Sequence, residues 1–223
     1  MNIIDTLSKK TAGALLTAII ALAAAPAQAI VLSSGQSSAF NFSGTGYDYN
    51  FNTSGTIKVS ALSASSITVD FTVTDRSTLI GGAAIANPSN VRLTSFGFGI
   101  DPNVTAVTSF NDGISGGLTG AMMGTLPSLK SIEVCAFGGS NCNGGSYGGI
   151  LAGGTDSFRI TMAGAFNPQG LITFDPLGVK YQTDNGSTEF ACSNSGCTKV
   201  PEPASLALFG LGLAAFSLSR KRK

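Results

Sequence analysis

From Ser66 to Thr74 apolar and polar side chains alternate without a break: Ile67, Val69, Phe71 and Val73 fall on one side, Thr68, Asp70, Thr72 and Thr74 on the other. A period of two marks an extended strand buried on one face, and a strand wetted on the other face belongs in an antiparallel sheet. The pattern recurs in shorter form. Phe40 and Phe42 alternate with Ala39, Asn41 and Ser43, and Phe158, Ile160 and Met162 share a face. From Val91 to Ile100 the alternation changes parity near Ser95, which predicts a bulge. Gly55–Ala61, Lys130–Phe137 and a closing hairpin turning at Asp184-Asn185-Gly186 complete the clearer elements. No long helical period interrupts them. Nine or ten short strands with turn residues at regular intervals predict an all-β fold, an antiparallel β-sandwich of jelly-roll kind.

Between these strands the punctuation suggests particular turns. Gly44-Thr45-Gly46 predicts a turn before a strand at Tyr47–Asn52. Asp101-Pro102 predicts a stop, with Val104–Phe110 returning antiparallel, and Ile172–Val179 repeats that scheme around Asp175-Pro176. Asn111–Pro127, rich in Gly, reads as a long rim loop, and Leu79–Ala86 as a short helix or an apolar loop.

The two ends have a different character. Lys9 and Lys10 precede an apolar run, Ala12 to Ala25, that ends in Pro26 and the small-residue pattern Ala27-Gln28-Ala29. This is the layout of a secretory signal helix over residues 1–29, with cleavage expected after Ala29. The body then spans 30–199. With the terminal basic residues set aside, Ile30–Pro203 holds seven Lys or Arg against eleven acids, a net charge of −4. A weakly acidic body with no basic block argues against a nucleic-acid partner.

The chain has no His. That removes Ser-His-Asp and Cys-His catalysis and most transition-metal sites, so no cofactor or metal is expected. Asp48-x-Asn50-x-Asn52 matches the opening of a calcium loop, but the positions that need Gly and Glu hold Thr53 and Val59, and a solvated strand face is the default. The acids Asp70, Asp75, Asp101, Glu133, Asp156 and Asp175 are scattered along strands and turns, and the sequence selects no catalytic pair. Cys135 and Cys142 bracket one short loop, Cys192 and Cys197 another. An even number in an exported chain points to disulfides; local pairing, one of three connectivities, closes two small loops, and a four-Cys zinc site is the alternative.

At the C-terminus Val200-Pro201-Glu202-Pro203 precede the apolar stretch 204–219 and the basic end Arg220-Lys221-Arg222-Lys223. Sixteen residues make a helix of about 24 Å against about 30 Å of hydrocarbon, a poor permanent anchor. The basic stop stays cytoplasmic, leaving the Pro-Glu-Pro motif at the outer face. This layout resembles the PEP-CTERM sorting signal of exported Gram-negative proteins. The resemblance implies that 200–223 is recognised and cut by an exosortase-type membrane protease, with Val200 to Pro203 as motif, 204–219 as membrane helix and Arg220 to Lys223 as stop. Proteins with this signal are often found in species that make extracellular polysaccharide, which the resemblance thereby offers as a partner. The segment around Cys135 and Cys142 is similar to the cistern subgroup of these proteins. The expected function is an exported, non-enzymatic structural or adhesive protein, held transiently at the inner membrane and then placed at the cell surface or in the matrix. The alternatives are a carbohydrate-binding module, with the aromatics of Tyr47–Phe51 or the Gly-rich loops as its contact surface, and a carboxylate-dependent glycosidase.

Overall fold

The structure, a computed structural model, describes residues 29–113, 116–144, 148–193 and 196–199, with the backbone alone for 192–193 and 196–199. In chain order the strands are β1 (Ile30–Leu32), β2 (Ser37–Gly46), β3 (Tyr49–Leu62), β4 (Ser66–Asp75), β5 (Thr78–Leu79), β6 (Val91–Asp101), β7 (Val104–Asp112), β8 (Gly120–Met123), β9 (Val134–Phe137), β10 (Ile150–Leu151), β11 (Thr155–Gly164), β12 (Ile172–Thr183), β13 (Gly186–Ser193) and β14 (Gly196–Lys199). The only helical piece among the described residues is a 3-10 turn at Pro88–Asn90, capped by the Asn87 side chain. Two antiparallel sheets result. The first runs β14-β13-β12-β6-β9-β8, with β1 added to β12 and β10 to β6; the second runs β2-β3-β4-β11-β7, with β5 added to β3.

The alternation decides what lies between the sheets. Ile67, Val69, Phe71 and Val73 of β4 and Phe158, Ile160 and Met162 of β11 are all buried, as their parity predicts. They meet the inner face of the first sheet through aromatic contacts: Phe71 lies 5.4 Å from Phe96 and 5.3 Å from Phe98, and Phe51 lies 4.6 Å from Tyr181. One continuous core therefore joins both sheets as a sandwich. Each buried aromatic ring contributes a few kcal/mol of transfer free energy, on the order of 2–3 for Phe.

The bulge near Ser95 is present: Leu93 faces Tyr181 and Ser95 faces Lys180, which leaves Thr94 as the extra residue. Several expected turns are corrected. β2 continues through Gly44–Gly46, and the hairpin turns at Tyr47-Asp48, with Gly46 opposite Tyr49. Gly44 serves instead as a close approach, since a Cβ there would overlap the Phe190 ring. After Asp101-Pro102 the chain crosses to the other sheet, and β7 pairs with β11. Asp175-Pro176 is no turn either. It forms a bulge inside β12, opposite Gly99, because Phe174 faces Ile100 and Leu177 faces Phe98. Gly99 is required there, as a Cβ would stand 2.3 Å from the Asp175 carbonyl oxygen. The rim loop contains the edge strand β8, the strand expected from Lys130 shortens to β9, and 80–87 is a loop.

The first sheet is covered on its outer side as well. Phe96, Phe98 and Ile100 of β6 point inward, so Gly97 and Gly99 present bare backbone outward, and the segment 124–133 packs down on it. A Cβ on Gly97 would meet Ile132 Cγ2 at 2.7 Å, and one on Gly178 would meet Leu129 Cδ1 at 2.6 Å. Leu126, Leu129, Ile132, Cys135 and Cys142 form a second apolar cluster beneath this cover.

Among the described residues no helix is long and apolar enough to cross a membrane. The expected signal helix (all but Ala29) and the expected membrane helix at 204–219 lie outside the described residues.

Candidate functional site

The scattered acids acquire individual roles in the fold. Asp70 on the outer face of the second sheet accepts from Arg159 at 2.5 and 3.2 Å, and this guanidinium holds its carboxyl below the usual range. Glu133 accepts from the Ile100 amide at 3.3 Å, while Asp101 and Asp175 are exposed. Asp75 and Asp156 are the two that sequence reasoning left undistinguished. Each continues the inward parity of its strand, Asp75 after Val73 and Asp156 before Phe158, and each is buried. That parity was the available signal.

Asp75 Oδ1 accepts from the Ser77 hydroxyl at 2.6 Å and the Ser77 amide at 2.9 Å. Its other oxygen has no partner, and burial pushes the carboxyl up to about 6. The neighbouring Tyr181 hydroxyl pairs with Thr53 Oγ1; burial, then the Asp75 charge, raises its pKa further. Asp156 Oδ2 accepts from the Leu118 amide at 2.6 Å, and burial foremost raises its carboxyl, with the Asp112 charge adding. Among the described residues no group of three His, Cys, Asp or Glu side chains gathers as a metal site needs. Asn50, from the calcium-like run, donates instead to the Leu79 carbonyl at 3.2 Å.

Of the aromatics Tyr47, Tyr49 and Phe51, the last two are core residues and only Tyr47 remains at the surface. A sugar-stacking platform along that strand is therefore excluded in favour of one ring at a hairpin tip. The outer face of the second sheet has another chemistry: hydroxyl pairs cross β4 and β11 at Thr68–Thr161 (3.2 Å), Thr72–Ser157 (3.1 Å) and Thr74–Thr155 (2.9 Å). A shallow groove lined by Asp70, Thr72, Asn111, Ser157 and Arg159 lies among them.

Cys135 and Cys142 form a disulfide with Cα atoms 6.0 Å apart. It ties the loop that follows β9 back onto β9, beside the cover of the first sheet, and Ser95 Oγ donates to the Cys142 carbonyl at 3.3 Å. Beneath this cover Lys180 and Glu189, opposite each other on β12 and β13, make a buried ion pair of 2.9 Å, and the Ser128 amide donates to the second Glu189 oxygen at 2.7 Å. Cys192 and Cys197 stand opposite in the backbone register of β13 and β14; their side chains lie outside the described residues.

β14 is an edge strand, and its last residue, Lys199, faces Phe190. At the other end β1 begins at Ile30, just after Ala29 of the expected cleavage pattern. Ala27, Val200 to Pro203 and Arg220 to Lys223 lie outside the described residues.

A sandwich whose final edge strand runs without a linker into a short polar motif has the layout of a body joined to a sorting signal. Residues 199–223 match the PEP-CTERM protein-sorting motif, beginning at the last residue of β14. That motif implies an exported protein processed by an exosortase. No curated protein and no solved structure matches the chain.

Proposed function

We propose that the chain enters the export pathway on a signal peptide cut after Ala29, is held in the inner membrane by 204–219, and is released to the cell surface or matrix when an exosortase-type protease cuts the tail. The sorting motif joined directly to β14 carries this reading. The body acts as a non-enzymatic structural or adhesive unit of the cistern kind. In cells of the source type, a chain truncated after Lys199 is then misdirected, whereas the full chain reaches the surface. Truncated protein that still arrives and stays there would overturn the reading.

A second reading, binding of extracellular polysaccharide, is favoured by one observation: the hydroxyl-lined outer face of the second sheet. Hydroxyl and amide side chains on an open sheet face, with the Asp70–Arg159 pair among them, match the donors and acceptors of a glycan chain. Pull-down of the full chain with native polysaccharide tests it, and Thr72→Lys together with Ser157→Lys should weaken retention at least tenfold.

A further inference from the structure

We propose that one end of the sandwich, made of the hairpin tips Tyr47-Asp48 and Asp184-Asn185 and the loop 80–84, rests on the lipid surface while the tail holds the chain at the membrane. The inference rests on the membrane reading of 204–219 given above.

The direction of β14 carries the argument. β13 leaves the Asp184-Asn185 tip at Gly186, and β14 returns antiparallel to it, so the chain heads back toward that tip when it reaches Lys199. Lys199 faces Phe190, four residues from Gly186, a distance of about 14 Å along a strand. Four residues, Val200 to Pro203, separate Lys199 from the apolar stretch, and extended they span at most about 14 Å. The tether is thus just long enough for the apolar stretch to begin level with the tip, and too short to let the body stand away from the bilayer.

That end is also chemically suited to an interface. Contacts gather its parts: Tyr47 OH donates to the Ser187 carbonyl at 3.1 Å, Tyr49 OH to Asp184 at 2.9 Å, and the Ile80 amide to the Asp48 carbonyl at 3.0 Å. The chain carries no charge from Ser77 to Val91. A tight turn, with Gly81 at φ 96° and Gly82 at φ 85° and a Leu79–Ala83 backbone bond of 2.9 Å, projects Ile80, which is 61% exposed. Leu79 and Ile85 pack on the core on either side and hold the loop in place. Tyr47 adds an aromatic body with a polar tip, the kind of side chain that sits at a lipid headgroup boundary. Among the described residues the other exposed large hydrophobics lie elsewhere: Val31 and Leu171 at the opposite end of β12, Met122 and Met123 on β8 at the far edge of the first sheet. Asp48 and Asp184 at the rim favour an uncharged lipid surface over an anionic one.

The chain has no Trp, so each introduced Trp reports alone. Ile80→Trp and Leu171→Trp, each in the chain that begins at Ile30 and keeps the whole tail to Lys223, are reconstituted into phosphatidylcholine vesicles with and without brominated acyl chains, with Ala84→Trp as a second probe of the loop should Ile80→Trp lose the native circular dichroism spectrum. The expected result is a blue-shifted Ile80→Trp emission that falls at least twofold in brominated vesicles, with Leu171→Trp unchanged. Protein that floats with the vesicles while the loop probe stays unquenched, or equal quenching at both sites, overturns the proposal. Failure to float at all overturns the membrane reading of the tail and this inference with it.

Discussion

Asp75 is a carboxyl that the fold prefers to keep protonated. In the unfolded chain it titrates near 3.9; in the core burial lifts it to about 6. Below about pH 4 both states hold the proton and the group is neutral to stability. As pH rises toward 6 the unfolded state releases it first, so stability falls across that window and levels off above it. A shift of about two units corresponds to about 3 kcal/mol. Asp75→Asn keeps an acceptor for Ser77 and removes the ionisation. Urea titrations at pH 4, 5, 6 and 7 should therefore show wild type losing about 2 kcal/mol relative to this variant between the first and last points, the unfolded carboxyl being partly ionised already at pH 4. Lys180 and Glu189 are a buried ion pair, each charge set against its opposite. Lys180→Met strands Glu189 and should cost about 3–5 kcal/mol in the same titration. Adding Glu189→Leu should recover part of this, the Ser128 amide being left without its acceptor.

At the level of strands, Gly99 and the Asp175-Pro176 bulge fit each other. Gly99→Ala drives a methyl into a backbone carbonyl that cannot move without disturbing the β6–β12 ladder, and should lower stability by about 1–3 kcal/mol, read as a shifted urea midpoint with unchanged slope. Replacing Cys135 and Cys142 together by Ala should cost about 2 kcal/mol, the entropy of a small loop, and should speed hydrogen exchange in 138–144 and 148–149 more than in β4. The strand interiors were readable from sequence because burial on one face leaves a period of two: Ile67–Val73 and Phe158–Met162 sit as their parity predicts. Partner choice was not readable. Val104–Phe110 is a strand in either sheet, and nothing in its alternation says that it crosses over to β11. Asp175-Pro176 reads as a turn because a bulge uses the same residues, and only the long-range pairing to β6 tells the two apart. The cover on the first sheet left a trace in Gly97 and Gly99 between Phe96, Phe98 and Ile100, an outer face with nothing to offer water. Of the candidate site, the tail motif was legible because it is local; the gathering of Tyr47, Ile80 and Asp184 at one end is the work of residues far apart in the chain.

At the scale of the molecule both ends of the body belong to the first sheet, β1 on β12 and β14 on β13. A cut after Ala29 leaves β1 whole, and a cut within the tail leaves β14 whole, so neither removes a strand from the fold. Intact-mass measurement of the protein from its own cells should accordingly find a chain that starts at Ile30 and still contains Lys199; a C-terminus upstream of Gly196 would mean that processing dismantles the edge. The two broad faces differ. The first sheet is roofed by its own segment 124–133 and the disulfide, whereas the second exposes its rows of Thr, Ser and Asn. On the polysaccharide reading proposed above the body is one-sided: the glycan lies against the hydroxyl rows of the second sheet, and the roof of the first sheet is turned away from it.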